Sequence, residues 1–535
     1  MQPLNSGLGR RTRIVAGAVA IGFLAATALY GCTSSPTDNS TNGGGDIPNG
    51  DMITYGAQAS PNSFDPANAN NNAGGFNIQL TYANVLEYGA DGKLTGGLAD
   101  TFGYTDQQNE VYQFKLKSGL KFADGTPITA QAAVDSITHY TKGYGPGPSA
   151  SREITAKALD DLTVELDSTV PNPSIPDLLG PNYYMGALIS PAGIKALPSD
   201  PTSPNPLDTK DYGAGPYTLD TADTVQGTTY VFDKNPNYYD AADVHYAKFT
   251  MQIIQDPQQA YQALQSGQVN FIEITDQPTE DAAKAAGLNV QVSDAWFDWD
   301  GIHILDQGGK LAPALANEKV RQAMNYAIDR KTIAQTFFGD LGEASTNITL
   351  PTLTGYDPAL DDAYPYDPAK AKQLLAEAGY PNGFDFKIAY APIGAIAQAV
   401  QAAAQDLQAV GINAQLDQKS FADWIPSILR GEVEASPLPQ SETSVYLTWR
   451  QQWMAGGSIN PLNNVDPDAK AAFDKASVSN TQADWAAANK ILVDKAWTIP
   501  LLREKTAWAF DSTVAGIVLD PRGFPIFEWG VHPAS

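Results

Sequence analysis

Few side chains in this 535-residue chain could make or break a covalent bond. Cys32 is the only thiol. The four histidines, His139, His245, His303 and His532, lie far apart, in no spacing that would bring two imidazoles to one metal. The sequence holds no Gly-X-Ser-X-Gly elbow and no zinc-protease helix. A carboxylate pair for glycoside cleavage stays open, because acids are many and their separation is not legible in a sequence. No catalytic residue, cofactor or metal site is assigned, and each histidine is expected to be packed or at the surface. What the chain offers instead is aromatic area: 9 Trp, 24 Tyr and 19 Phe. Such rings supply large contact surfaces with few rotors to freeze, and they stack on peptides, sugars and other planar groups. That is the chemistry of recognition.

Charge and the N-terminus narrow the setting. Asp and Glu number 59 against 33 Lys and Arg, a net charge of −26. That excess argues against nucleic acid and against a polybasic membrane surface, and it favours solubility. The chain opens with Arg10-Arg11-Thr12-Arg13, an apolar run from Ile14 to Tyr30, then Gly31-Cys32. A basic start, a short apolar core and a small residue before the break describe an export signal over 1–31. The run falls short of the ~20 residues a membrane span wants. Leu29-Tyr30-Gly31-Cys32 resembles a lipobox, which implies a diacylglycerol on Cys32, although Tyr30 departs from the small residue usual there. The arginine pair matches a twin-arginine signal only weakly. Residues 32–50 are mostly Ser, Thr, Asn, Gly and Pro, too polar to offset their ordering entropy, and are expected to form a tether. The expected location is the cell surface or periplasm, with Cys32 anchoring the chain to the outer face of the cytoplasmic membrane. With no other cysteine, the body holds no disulfide and no thiolate metal site.

Beyond the tether about 480 residues remain, more than one core usually serves. Asp51–Ala59, Val111–Leu116 and Leu162–Leu166 alternate apolar and polar residues as strands do, and Val269–Ile274 reads as a further strand. Ser60-Pro-Asn-Ser-Phe-Asp-Pro66 is a turn-rich exit from the first strand, and the Asn-rich stretch Asn68–Asn72 reads as a surface loop. Thr129 can cap a helix through Ile137. Asp256-Pro257 and Asp367-Pro368 each open a helix, with Asp as cap and Pro in the first helical position. Asn317 caps a helix whose inner face is Val320, Ala323, Met324, Ala327 and Ile328. Ile396–Val410 is another, closed by Gly411. Strands alternating with helices predict a mixed α/β body.

Several segments also resemble, in order, the extracellular solute-binding proteins of ABC importers, in the dipeptide- and oligopeptide-binding class (family 5). These are Gly97–Asp100 with Val111–Pro127, Gly213-Ala-Gly-Pro-Tyr217 with Asp233–Tyr239, Ala263–Val269, Val320–Arg330 and Asp367–Pro381. The resemblance implies an α/β periplasmic-binding-protein-like fold with two lobes flanking a ligand cleft. The implied first lobe is 51–80, 190–295 and 501–535, with a subdomain inserted at 81–189; the second lobe is 296–500. It implies a monomeric receptor that binds a small solute, a peptide above all, by hinge closure and delivers it to membrane permease subunits. Asp329-Arg330 is expected to be a helix-end ion pair.

In that family the charged amino terminus of a peptide meets a carboxylate from a stretch of the second lobe. Here the corresponding stretch, Trp449–Pro461, holds no acid, and the nearest in sequence are Glu442 and Asp466. The departure leaves an oligosaccharide, a metal chelate or another solute open beside a peptide. It also sets Arg450 where it could meet an anionic group in bidentate fashion. The other expected ligand contacts are Asn62, Phe64 and Tyr82 of the first lobe and subdomain, Trp296 and Trp299 at the crossing between lobes, and Trp424, Trp449 and Trp453 of the second lobe. A sensor or chaperone-like role on the same scaffold is a further alternative, and a secreted hydrolase a remote one.

Overall fold

A computed structural model describes residues 49–535, except 70–75, 90–91, 144–145, 201–202, 393, 442–443 and 528–529. The export signal, Cys32, nearly all of the tether, Asn70–Asn72 and Glu442 thus lie outside the described residues. None of the described helices is long and apolar enough to cross a membrane.

The strand Gly50–Ala57 pairs in parallel with Tyr246–Ile253, Gly50 opposite Tyr246 and Ala57 opposite Ile253. From Ile53 to Ala57 every residue is buried, as a strand covered on both faces must be. It is central to a seven-stranded sheet whose order is Asn289–Val292, Ala507–Phe510, Phe271–Ile274, Gly50–Ala57, Tyr246–Ile253, Thr229–Lys234 and Tyr217–Val225. Segments from the start, the middle and the end of the chain therefore share one sheet. Aromatic packing joins them: the Tyr55 ring stacks on Phe271 at 4.8 Å and lies 5.9 Å from Trp508.

A second, six-stranded sheet runs Gly342–Ala344, Thr498–Glu504, Asp298–Ile304, Ala435–Ser441, Phe384–Tyr390 and Ile412–Gln418. Because Thr498–Glu504 belongs here, the chain returns to the first sheet after Glu504 rather than after Pro500. Between Thr81 and Tyr217 lies a third, four-stranded antiparallel sheet: Ala99–Tyr104, Val111–Leu116, Thr163–Ser168 and Ile154–Ala158.

The helix caps form where the sequence set them. Thr129 Oγ1 accepts from Ala132 N at 3.3 Å, Asp256 Oδ1 from Gln259 N at 2.8 Å, Asn317 Oδ1 from Lys319 N at 3.0 Å and Asp367 Oδ1 from Lys370 N at 2.9 Å. Each satisfies an amide that the first helical turn leaves unpaired. One expectation is corrected. The stripe from Val320 to Ile328 breaks into two helices, Glu318–Tyr326 and Arg330–Phe337, and Asp329 caps the second. Arg330 makes no pair with Asp329. Its guanidinium is buried and donates to Pro500 O at 2.6 Å, Asn325 O at 2.8 Å and Asn325 Oδ1 at 2.7 Å. A buried cation with carbonyls in reach must use them.

The Gly213-Ala-Gly-Pro-Tyr217 motif has a steric cause. Gly215 N donates to Thr81 O at 2.9 Å. A Cβ on Gly213 or Gly215 would overlap the backbone of residues 80–82. Only glycine lets the two chain segments lie backbone against backbone.

Asp306 shows how turns in the second sheet are held. Its buried carboxylate accepts from Lys310 N at 2.7 Å, Leu311 N at 2.7 Å and Ala312 N at 2.8 Å. Replacing Asp306 by Ala orphans these amides, and the expected loss is about 2–4 kcal/mol in the unfolding free energy, read by denaturant titration.

Candidate functional site

The chain passes between the first two sheets twice, through 293–297 and 505–506. The two crossings run side by side. Phe297 N donates to Glu504 O at 2.8 Å, Ser293 N to Thr506 O at 2.9 Å and Thr506 N to Ser293 Oγ at 3.2 Å. Beside them opens a cavity of about 870 Å³. Its walls come from four places: Tyr88, Lys93, Leu94 and Asp177 of the inserted region, Gln291–Phe297 at the end of a first-sheet strand and along the first crossing, Thr352 and Leu353 in the segment after the strand Gly342–Ala344, and Ile517–Arg522 near the C-terminus. The volume lies in the ~300–1,000 Å³ range of sites for small organic ligands. A much smaller buried space of about 40 Å³ adjoins it, sharing Tyr88, Asp520 and Arg522.

One wall is held by bonds among its own residues. Arg522 Nε donates to Asp520 Oδ2 at 2.7 Å, its Nη1 to Pro181 O at 3.0 Å, and its face lies over the Phe524 ring at 5.2 Å. Asp520 Oδ1 in turn accepts from the amides of Arg522 and Phe524 at 2.8 and 3.0 Å. These bonds fix the loop that forms one side. On another side the Trp296 ring is held by Arg503 and Lys505, each 5.0 Å from its centre. Asp177 is different. It sits on the short helix Ile175–Leu179, and burial pushes its carboxyl up to about 7 despite the hydroxyls of Ser174 and Ser444, which favour its charged form.

The strands that lead into the crossings carry buried acids. Burial raises the Glu273 carboxyl to about 7 and that of Asp300 to about 6. Glu504 is raised too, first by burial and then by the charges of Asp300, Asp298 and Glu273. Asp300 and Glu504 lie within hydrogen-bond reach of one another, so one proton between them relieves a like-charge contact.

The inserted region also touches the second sheet's side of the molecule. Arg450 forms an ion pair with Glu153, Asn109 Nδ2 donates to Ser477 O and Val478 O at 3.0 Å each, and the hydroxyls of Ser174 and Ser444 meet.

Of the residues singled out from sequence, Trp296 lines the large cavity and Tyr82 the small one. The rest do not line either. Asn62 is exposed in its turn, where its amide donates to Asn68 O at 2.8 Å. Phe64 is buried against Tyr230 and Phe232. Trp299 lies in its strand with its ring 5.1 Å from that of His303. Trp424 is buried and donates from Nε1 to Ser436 Oγ at 2.8 Å. Trp449 and Trp453 are packed edge to face at 5.4 Å, with Phe473 stacked on Trp449 at 5.7 Å, and Trp449 Nε1 donates to Asn489 Oδ1 at 2.8 Å. Arg450, expected to meet an anion, spends its charge on Glu153 outside the large cavity. The acids nearest the altered stretch do not replace the expected carboxylate: Asp466 caps a helix and pairs with Lys495 at 2.6 Å. Sequence reasoning missed Tyr88, Asp177, Phe297 and the Asp520–Arg522 loop. None of these lies in a motif, and only the fold brings them to one wall.

The chain thus builds two sheet-based lobes, a third inserted sheet and a cavity beside the crossings between them. Residues 93–443 match the model of the bacterial extracellular solute-binding proteins, family 5 (middle part), and the chain belongs to that family. It is accordingly an extracytoplasmic solute receptor of ABC import, not an enzyme. The glutathione-binding protein GsiB of Escherichia coli O1:K1 is 26% identical over 493 residues, covering 86% of this chain and 90% of that one. Two solved structures share the fold over 90% of this chain at a TM-score of 0.77. One is a dipeptide-binding protein of Pseudoalteromonas sp. SM9913 in complex with Met-Leu, 18% identical and covered in full. The other is the binding protein AgaA of A. tumefaciens R10 in complex with agropinic acid, 20% identical and 99% covered.

The crossing acids make stability depend on pH in a stated direction. Their folded-state values lie above their unfolded ones, so the folded chain holds more protons between about pH 4 and pH 7 and loses stability as pH rises through that window. The melting temperature should fall from pH 5 to pH 7.5, and the double variant Asp300→Asn/Glu504→Gln should flatten that slope in the same thermal scans.

Proposed function

We propose that this receptor binds a short peptide or peptide-like solute in the cavity beside the crossings, and that the two lobes close on it as a hinge. The observation that carries this is the composition of the cavity wall. It draws residues from the inserted subdomain, the first crossing, the C-terminal segment and, through Thr352 and Leu353, a segment of the second lobe, so a solute held there contacts both lobes at once. A ligand shifts a conformational equilibrium only by its differential affinity for the two states, and contact with both lobes supplies that difference. The size of the cavity suits a few residues of peptide with water around the side chains. The peptide and glutathione specificities of relatives point the same way. The closed form would then be what membrane permease subunits recognise. The receptor works as a monomer on this reading, held to the outer face of the cytoplasmic membrane by a lipid on Cys32.

Native mass spectrometry of the purified chain with a mixture of di- to pentapeptides tests the reading. Peptide adducts, a raised melting temperature and a smaller radius of gyration in X-ray scattering are expected. Adducts with oligosaccharides or metal chelates and none with peptides would overturn it.

The contact between Arg450 and Glu153 joins the subdomain to the second lobe in this arrangement, with side chains 22% and 31% exposed. A half-exposed pair of this kind contributes ~0.2–1 kcal/mol. Replacing Arg450 by Ala should therefore weaken peptide affinity by no more than about five-fold, read by calorimetry, while the melting temperature of the isolated chain changes little.

A further inference from the structure

The inserted four-stranded sheet meets the second lobe along one of its ends. Ser168 N donates to Glu110 O at 2.7 Å and Thr169 N to Glu153 O at 3.1 Å, just beyond the pairs Val111–Asp167 and Ile154–Ser168. The turn at 105–110, the segment 168–172 and Glu153 therefore stand in a row across three neighbouring strands. Opposite this row are the helices Val445–Gln452 and Pro467–Ser479, which the chain builds between the second-sheet strands Ala435–Ser441 and Thr498–Glu504. Glu153 reaches Arg450 on the first helix, and Asn109 reaches the end of the second.

The Asn109 contact differs in kind from an ion pair. The last carbonyls of a helix have no amide of their own helix to accept from. Asn480 N takes that of Ala476 at 2.8 Å. Asn109 Nδ2 takes the next two, Ser477 O and Val478 O, at 3.0 Å each. A helix on one side of the seam is thus capped by a side chain from the other, 368 residues from Ser477 in the chain. The donor also suits the negative end of the helix dipole. The turn that carries Asn109 is held by its own bonds. The Asp106 carboxylate accepts from Gln108 N at 3.2 Å, Glu110 N at 3.1 Å and Val111 N at 3.2 Å, and Asn109 O accepts from Asn172 N at 2.8 Å. Asn109 itself sits at φ 59°, a left-handed conformation that asparagine tolerates better than most side chains.

This seam is made to part. Besides its polar points it leaves a space of about 290 Å³ lined by Val170 and Pro171 on one side and Tyr446, Phe473 and Val478 on the other. Surfaces that stay together are packed without voids of that size. The inserted region begins after the helix Phe76–Thr81 and ends before the first-sheet strand Tyr217–Val225, so its covalent ties are to the first sheet. Any swing of one sheet against the other must break or slide its contacts with the two helices.

We propose that the turn at Asn109 is a latch. It caps Pro467–Ser479 in the closed form only, raises the closed fraction of the receptor and slows the escape of whatever the lobes enclose. The inference rests on the hinge closure proposed above and not on the solute being a peptide. The bonds run between protein groups, so they add the same increment for every solute. When the lobes part, the amide and both carbonyls turn to water, and the small net gain of two such hydrogen bonds leaves the step reversible.

The test compares the full chain with its Asn109→Gly and Asn109→Asp variants by peptide-release kinetics, X-ray scattering and thermal melting. Glycine keeps the left-handed backbone and loses the donor; aspartate keeps the shape and turns an acceptor toward two carbonyls. The probe is the member of the di- to pentapeptide mixture that gives the strongest adduct. Both variants should release it about three- to ten-fold faster at an unchanged association rate and melt close to the parent. Unchanged release, from a parent that does shrink on binding peptide, overturns the latch and leaves hinge closure standing. A lowered melting temperature with unchanged release marks Asn109 as a structural residue and overturns it as well. A parent that binds peptide without shrinking overturns both readings. Should no peptide bind, the comparison is read on the chains alone: both variants should show a larger radius of gyration than the parent, and equal sizes overturn the latch.

Discussion

The arrangement depends on how the chain is joined across its middle. Two short crossings, hydrogen-bonded to each other along 293–297 and 504–506, are the covalent links between a seven-stranded and a six-stranded sheet. A single strand would let the lobes swivel about any axis. Two parallel connections leave one easy rotation, which opens and shuts the space beside them. The cavity lies against the first of these connections. The proposed binding site therefore occupies the place where a small change of angle alters the most contacts. The acids gathered there, Glu273, Asp298, Asp300 and Glu504, fit the same constraint. Adjacent strands from both sheets converge, and their side chains share a narrow, poorly hydrated space.

Much of this was legible in the sequence wherever local chemistry decides the outcome. Caps at Thr129, Asp256, Asn317 and Asp367 depend on one oxygen and one amide a few residues on, and all four formed. The strand Val111–Leu116 formed with its expected ends because its alternation matches one buried and one open face. The stripe through Val320–Ile328 misled because periodicity reports a buried face and not continuity. Asp329 prefers the cap to the helix interior, so the chain restarts there while the same face stays inward.

The site was far less legible, for a physical reason. Tryptophan is equally suited to a ligand wall and to a core, and nothing local distinguishes them. Trp449 and Trp453 sit four apart on and beside one helix, a spacing that packs them on each other and turns Trp449 toward Phe473 and Trp485. Trp296 became a wall residue because the strand had not yet begun and its ring could lie under Arg503 and Lys505. Arg450 was identified as a charge in want of a partner, and the partner came from Glu153, almost three hundred residues away in the chain.

The close approach of Gly213 and Gly215 to Thr81 has a consequence for ancestry. After its first strand ends at Ala57 the chain passes through the helix Phe76–Thr81 and rejoins the seven-stranded sheet at Tyr217, and Thr81 lies backbone against backbone with Gly213 and Gly215 just before that return. Everything between them is topologically a loop whose ends meet, so the parent sheet would close in the same way around a longer, shorter or different excursion. A lineage could exchange that module wholesale while its scaffold stayed fixed, and thereby change what it captures without relearning how to fold.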